Sequence, residues 1–196
     1  FIINGSNLID GFNGLLSIHS LIILSILLFF NLLNDNSDIQ YIILYTGIII
    51  LIFTYFNFPN AKMFLGDSGA YLIGTFIAVS VVNSSLLNPN ISPFLFCILL
   101  FYLFFEVFFS FFRKLLIVRQ SPLLPDNQHL HMRVYKFLLR KRYTKLKANY
   151  LTSVYVNSTY LLLVLPAIIF SESNLFCKYY FLFLLIIYIY LYKKIK

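Results

Sequence analysis

Phe58-Pro59-Asn60-Ala61-Lys62-Met63-Phe64-Leu65-Gly66-Asp67-Ser68-Gly69 is a short polar stretch between two runs, residues 39–56 and 70–87, each long and apolar enough to cross a bilayer. Its Asp67 is the one acidic residue between Asp38 and Glu106. A carboxylate at a membrane surface suits a hard cation, and flanking glycines let backbone amides approach a phosphate. Asp67 is therefore read as the centre of a binding site. The competing reading is a tight turn whose Asp67 and Ser68 cap a helix beginning near Gly69.

The rest of the chain has the same character. Of 196 residues, 60% are hydrophobic and 11% charged, and the mean hydropathy is +0.84. A soluble domain carries roughly 25% charged residues, so an unusual core does not explain the deficit. Residues 15–33, 39–56, 70–87, 94–112, 151–170 and 175–192 are apolar runs of spanning length. The expected fold is all-α, a polytopic transmembrane helical bundle of about six spans. Cys97 and Cys177 lie in or beside apolar runs, far apart, and are read as inert. His19, near the start of the first run, is read as a hydrogen-bonded histidine rather than a ligand.

One hydrophilic segment interrupts the spans. Residues 113–149 hold Arg113, Lys114, Arg119, Arg133, Lys136, Arg140, Lys141, Arg142, Lys145 and Lys147, out of 15 Lys and Arg in the chain. Basic loops stay cytoplasmic. Alternating spans from that anchor put residues 1–14, the Asp67 stretch, the basic loop and the Lys193-Lys194-Ile195-Lys196 tail on one side. The turns at Asp35, Pro89 and Glu172 fall on the other. Within the basic loop, residues beyond Arg133 mix Val134, Phe137, Leu138, Leu139 and Leu146 with Lys and Arg, the pattern of an interfacial amphipathic helix on anionic lipid. Six spans make nucleic acid the poorer partner.

Three polar constellations share that side. Asn4, Asn7 and Asp10 recur every third residue, so on a helical turn they share a face and converge on one ligand, with Gly11 and Gly14 closing the turn. A helix C-terminus capped by glycine explains the glycines but not the polar side chains. The second constellation is the Asp67 stretch. The third is Pro125-Asp126-Asn127-Gln128-His129-Leu130-His131-Met132-Arg133, in which two histidines spaced by two share one side of an extended segment but not of a helix. His129, His131 and Arg133 are read as contacts for anionic phosphates; without cysteine or a further nearby ligand, zinc is disfavoured. Glu106 lies inside the fourth run, where a charge needs a cavity or a partner, and Arg113, seven residues on, shares its face.

Taken together, Asn4-x-x-Asn7-x-x-Asp10-Gly11-x-x-Gly14-Leu15, Ala61-Lys62-Met63-Phe64-Leu65-Gly66-Asp67-Ser68-Gly69 and Pro125-Asp126-x-x-His129-Leu130-His131 resemble the polyprenyl-phosphate N-acetylhexosamine-1-phosphate transferases. That family includes the undecaprenyl-phosphate GlcNAc-1-phosphate transferases and, more distantly, phospho-MurNAc-pentapeptide transferase. The resemblance implies transfer of a sugar 1-phosphate from a UDP-N-acetylhexosamine to a polyprenyl phosphate, with release of UMP and a requirement for Mg2+, initiating a cell-envelope glycan such as lipopolysaccharide. It also implies a multi-pass protein of the bacterial inner membrane with a cytoplasmic active face, surrounded by membrane lipid and assembled as a homodimer.

Residue by residue, Asp67 matches the magnesium-binding aspartate and Phe64 the aromatic that stacks on uracil. Gly11 and Asn13 match positions lining the nucleoside pocket, with Asn4 beside them on the substrate-binding side. Asn7 and Asp10 match catalytic polar residues, and His129 and His131 the histidine motif near the phosphates. Many members carry Asp at the position of Asn13 and a further His at that of Met132, and Asp is usual where Glu106 stands. The family's adjacent aspartate pair lies upstream of residues 1–196, which are expected to form one integral membrane domain, the C-terminal portion of a longer enzyme. The alternatives are a non-catalytic remnant of the same fold and a transporter component.

Overall fold

A computed structural model of the chain describes residues 1–34, 37–119, 121 and 126–195. Asp35, Pro122 and Pro125 lie outside the described residues. Every regular element among those described is a helix: α1 (Ile2–Ile9), α2 (Leu15–Leu33), α3 (Ser37–Asn57), α4 (Gly66–Leu87), α5 (Pro93–Leu99), α6 (Phe101–Phe112), α7 (Leu130–Arg140), α8 (Lys145–Ile169) and α9 (Asn174–Lys194), with a wider, π-helical continuation of α6 over Arg113–Val118. Among the described residues, five helices are long and apolar enough to cross a membrane, and α5 with α6 makes a sixth span if the bent pair is counted as one.

The fourth span was expected to run unbroken over residues 94–112. Instead α5 and α6 meet at Leu100 with a bend of 68°. Neither Pro nor Gly stands at the break, so its cause is tertiary. The Tyr160 hydroxyl, from α8, donates to the Leu99 carbonyl at 2.8 Å, taking up a backbone group beside the interruption. Two further boundaries move: α4 starts at Gly66, so Asp67 lies in its first turn, and α8 starts at Lys145, inside the basic segment.

Helix α2 is central, packing against α3, α4 and α8. Leu15, Leu16, Ile23 and Leu27 are almost wholly buried, as are Ile77 of α4, Leu95, Ile98 and Leu99 of α5 and Leu103 of α6. Outward faces stay apolar, with Ile49 and Ile52 of α3, Leu162 of α8 and Ile186 of α9 exposed, as lipid-facing helices require. Polar residues inside the bundle pair with each other. Asn31 Nδ2 donates to Ser84 Oγ at 2.8 Å and Asn88 Nδ2 to Asn31 Oδ1 at 3.1 Å, tying α2 to α4. Interhelical bonds of this kind contribute roughly 0.6 kcal/mol each in a membrane. His19 is buried with Nδ1 3.1 Å from Asn157 Oδ1, a hydrogen-bonded core histidine.

Helix α1 is wedged between α4 and α6 through two glycines. A Cβ on Gly5 would lie 2.1 Å from the Leu103 carbonyl oxygen, and one on Gly74 would lie 2.6 Å from Ser6 Oγ. The connecting segments segregate to two ends of the bundle. At one end, Ser92 N donates to Ser171 O at 2.8 Å, and the Asn34 and Asn88 side chains meet. The opposite end gathers the polar motifs.

Candidate active site

The turn after α1 is the hub of that end. Gly14 holds φ +78°, a left-handed conformation that L side chains rarely adopt, and a Cβ there would lie 2.7 Å from the Phe58 ring. Its N–H donates to Asn57 Oδ1 at 2.7 Å. Asn57 Nδ2 in turn donates to Met63 O at 2.8 Å, shaping the loop before α4. Asn13 is anchored from both sides: its backbone N–H donates to Asn149 Oδ1 of α8 at 2.8 Å, and its Nδ2 to Pro59 O at 2.8 Å. Phe12 packs its ring against His131 at 5.7 Å and Tyr135 at 5.2 Å between centroids. Residues 10–14 thus join the Asp67 stretch, α7 and α8.

Asp67 is exposed in the first turn of α4, where the helix N-terminus favours an anion. The cap position is Leu65, which offers no side-chain oxygen, so the capping reading of Asp67 and Ser68 is not the arrangement found. Asp10, at the C-cap of α1, lies near enough to Asp67 to feel its charge. Burial first, and then Asp67's negative charge, push the Asp10 carboxyl up to about 6. Asn7 Nδ2 donates to the hydroxyl of Tyr71, one turn beyond Asp67, at 2.9 Å. Asn4 and Gly11 are exposed, and Phe64 is 80% exposed on the loop leading to Asp67. Asn7, Asp10, Phe64 and Asp67 therefore belong to one surface.

The histidine pair occupies the start of α7. His129 is the extended N-cap (φ −64°, ψ 155°) and His131 sits in the first helical turn, so the extended geometry expected of both holds for His129 alone. The rings nonetheless lie nearly parallel, 5.4 Å apart with 6° between planes. His129 Nδ1 is 3.1 Å from Glu106 Oε2, and His131 Nδ1 is 3.2 Å from the Tyr102 hydroxyl. Burial outweighs the pull of Glu106 and lowers His131 to about 4, leaving it neutral at physiological pH. Arg113 does not pair with Glu106, as their spacing suggested; it is buried against Asp126, which also accepts from Ser110 Oγ at 2.8 Å.

Arg133, expected at the phosphates, is engaged elsewhere. Its Nη1 donates to Tyr192 O at 2.6 Å and Ile195 O at 3.2 Å, and its guanidinium lies 3.9 Å over the Tyr192 ring. That is the C-terminus of α9, where a cation meets unpaired carbonyls. Asn57, Tyr71, Tyr102 and Asn149 are site-shaping residues that sequence reasoning did not single out; each is a lone polar group near a helix end, with no periodic signal. Among the described residues, no cluster of three or more His, Cys, Asp or Glu forms a ready-made metal site. What the chain offers a cation is the Asp10–Asp67 pair, and among the described residues neither carboxylate is in an ion pair with a basic side chain. Two carboxylates within each other's electrostatic reach and without a basic counterion have the oxygen chemistry that suits a divalent cation.

The resemblance read from the motifs is borne out by comparison. Residues 1–85, the part holding the first two motifs, match the model of glycosyl transferase family 4. It is 29% identical to the undecaprenyl-phosphate alpha-N-acetylglucosaminyl 1-phosphate transferase of Thermotoga maritima over 185 residues, 94% of this chain and 52% of that one. To the probable undecaprenyl-phosphate N-acetylglucosaminyl 1-phosphate transferase of Bacillus subtilis it is 28% identical, over 95% of the chain and 50% of the relative. The phospho-N-acetylmuramoyl-pentapeptide-transferase of Dictyoglomus turgidum is 33% identical over 68% of the chain and 42% of the relative. The chain spans about half the length of the curated relatives it matches. No solved structure matches it.

Proposed function

We propose that this chain forms the greater part of the catalytic surface of a membrane transferase that moves N-acetylhexosamine 1-phosphate from a UDP-sugar to a polyprenyl phosphate and releases UMP. The observation that carries this reading is the Asp10–Asp67 pair, joined through one turn to a loop bearing stacked histidines. The remaining half of the relatives' length supplies the complementary part of the site. The chemistry faces the cytoplasm, because the basic loop shares the end of the bundle that holds these motifs.

The acceptor is a phosphate monoester whose second pKa is about 6, so it reaches the site largely ionised and needs little help from a base. The harder step is bringing that anion to a pyrophosphate. Asp67 and Asp10 would hold Mg2+, which when bound offsets this repulsion and stabilises the charge of phosphoryl transfer. Phe64, exposed beside Asp67, offers a face on which uracil stacks. His131 stays neutral and can donate a ring N–H to a phosphate oxygen without an added charge. Asn7 and Asn13 hold the surface in shape through Tyr71, Pro59 and Asn149.

The test is Mg2+-dependent release of labelled UMP from UDP-GlcNAc and undecaprenyl phosphate. The chain is assayed in nanodiscs, alone and with the N-terminal half of the Thermotoga maritima relative supplied in trans. Release with both parts and its loss on Asp67→Asn, with membrane insertion intact, is the expected result. Equal turnover by Asp67→Asn at low Mg2+ removes Asp67 from the metal role, and silence in every combination of folded parts overturns the reading.

A further inference from the structure

Glu106 lies within α6 among phenyl rings and is 1% exposed. A carboxylate there is tolerated only when its oxygens are used. Oε1 accepts the Leu130 backbone N–H at 3.0 Å, and Oε2 is 3.1 Å from His129 Nδ1. Leu130 is the first residue of α7, so the carboxylate takes up one of the unpaired N–H groups of that helix while gripping the ring at its N-cap. One side chain therefore docks α7 onto α6 and sets the angle of His129. A carboxylate only accepts, so the proton of this bond resides on Nδ1 of His129.

The opposite edge of the ring also looks toward a carboxylate, beyond hydrogen-bond distance. His129 Nε2 faces Asp126 Oδ2 at 4.0 Å. Asp126 is held by Arg113, by Ser110 Oγ and by the Gln128 N–H at 3.0 Å. His131 Nδ1 lies 3.9 Å from Glu106 Oε1 and shares Tyr102 with this buried cluster. Glu106 thus touches both members of the stacked pair while lying beneath them in the span.

We propose that Glu106 is the positioning residue of the histidine pair: its buried carboxylate fixes the Nδ1–H form of His129 and holds both rings in register at the start of α7. The consequence for phosphate transfer rests on the function proposed above. The positioning itself does not.

The chain has three histidines, His19, His129 and His131, which makes ring 15N spectroscopy of the full chain in nanodiscs tractable. In the unchanged protein, His129 Nδ1 should show the shift of a protonated nitrogen bonded to a carboxylate. Glu106→Gln keeps the volume but offers one oxygen for two donors, so the His129 Nδ1 signal should move and His131 respond with it, while His19, whose partner is Asn157, stays in place. Glu106→Asp, with the carboxylate withdrawn by one methylene, should shift the same signals by less, and it decides the matter if the Gln variant does not fold. An unchanged His129 signal in whichever variant folds overturns the proposal, as does equal movement of all three histidines. With the complementary half present, Glu106→Gln should lower kcat by about tenfold or more while donor KM stays within about twofold. A shifted His129 spectrum in a preparation that never transfers sugar phosphate overturns the proposed function and leaves the positioning role standing.

Discussion

Gly5→Ala adds a single methyl group, and the structure assigns it a large effect. The new Cβ would lie 2.1 Å from the Leu103 carbonyl oxygen and 2.8 Å from its carbon. Both atoms are backbone, so no rotamer change relieves the clash. An ordinary contact needs about 3.4 Å or more, so α1 and α6 must separate by roughly 1 Å. Overpacking of this kind costs about 1–3 kcal/mol. Against it stands the gain of Ala over Gly in a helix interior, about 0.8–1.0 kcal/mol. The clash wins because it is met by main chain and because the other side of α1 is equally tight, Ser6 lying against Gly74.

The expected net loss is about 0–2 kcal/mol in reversible unfolding from mixed micelles, its midpoint close to a fivefold change in the folding equilibrium. Gly11→Ala is the matched control. Nothing lies within 4 Å of a Cβ at Gly11, and its backbone is outside the left-handed region, so its stability should change by less than about 0.5 kcal/mol. Since α1 carries Asn7 and ends at Asp10, the Gly5 variant should also lose transfer activity in the complemented assay. Gly5→Ala more stable than the parent protein by the full helix preference of alanine, about 0.8–1.0 kcal/mol, would refute the close approach of α1 to α6.

Phe64→Ala should raise the KM for the UDP-sugar about tenfold, from the loss of roughly 1–3 kcal/mol of base stacking, with no change in unfolding because the ring is 80% exposed; an unchanged KM removes Phe64 from the donor site. Arg133→Lys should loosen the end of α9, seen as faster proteolysis near Ile195, and leave donor KM alone, since a lysine cannot both lie flat on Tyr192 and bond two carbonyls; a raised KM with α9 intact would return Arg133 to the phosphates. The pH dependence of stability should carry the mark of His131. Its folded pKa, about 4, lies below the ordinary 6.5, so the unfolded chain takes up the proton first. The associated stability is present above pH 6.5 and is lost as pH falls toward 4, on the order of 3 kcal/mol in all. His131→Gln should flatten the unfolding profile in that window, and an identical profile would contradict the buried neutral ring.

What the sequence disclosed follows from which forces act locally. Span ends were legible because apolar runs and polar interruptions report directly on the bilayer; residues 15–33 are α2 to the residue. The grouping of the motifs at one end was legible for the same reason, since alternating spans dictate which loops meet. The break at Leu100 was not, because Leu99, Leu100 and Phe101 carry no local signal and the partner of the interrupted backbone, Tyr160, is 61 residues away. Spacing alone misassigned the partner of Glu106. Arg113 shares its helix face, but a neighbouring loop brings Asp126 to Arg113 and His129 to Glu106. The anchoring asparagines, Asn57 and Asn149, were invisible for a related reason: a single amide near a helix end gains its meaning only from what folds against it.

The two kinds of carboxylate in this protein explain where its chemistry sits. Glu106 and Asp126 are each buried with a His or Arg partner, so their oxygens are occupied within the chain by His129 and Arg113. Asp10 and Asp67 have each other's charge instead, and burial, with the charge of Asp67, holds Asp10 up at about 6. A fold seeking stability alone would place a lysine or arginine there; Lys62 is close in sequence but exposed. Leaving the pair open raises the free energy of the bare site, and on the function proposed above a divalent cation held by Asp10 and Asp67 would lower it again. Under the proposed function the buried carboxylates would position the histidines and the Asp10–Asp67 pair would take the cation, while the turn at residues 10–14 joins the two regions through Phe12, Asn13 and Gly14.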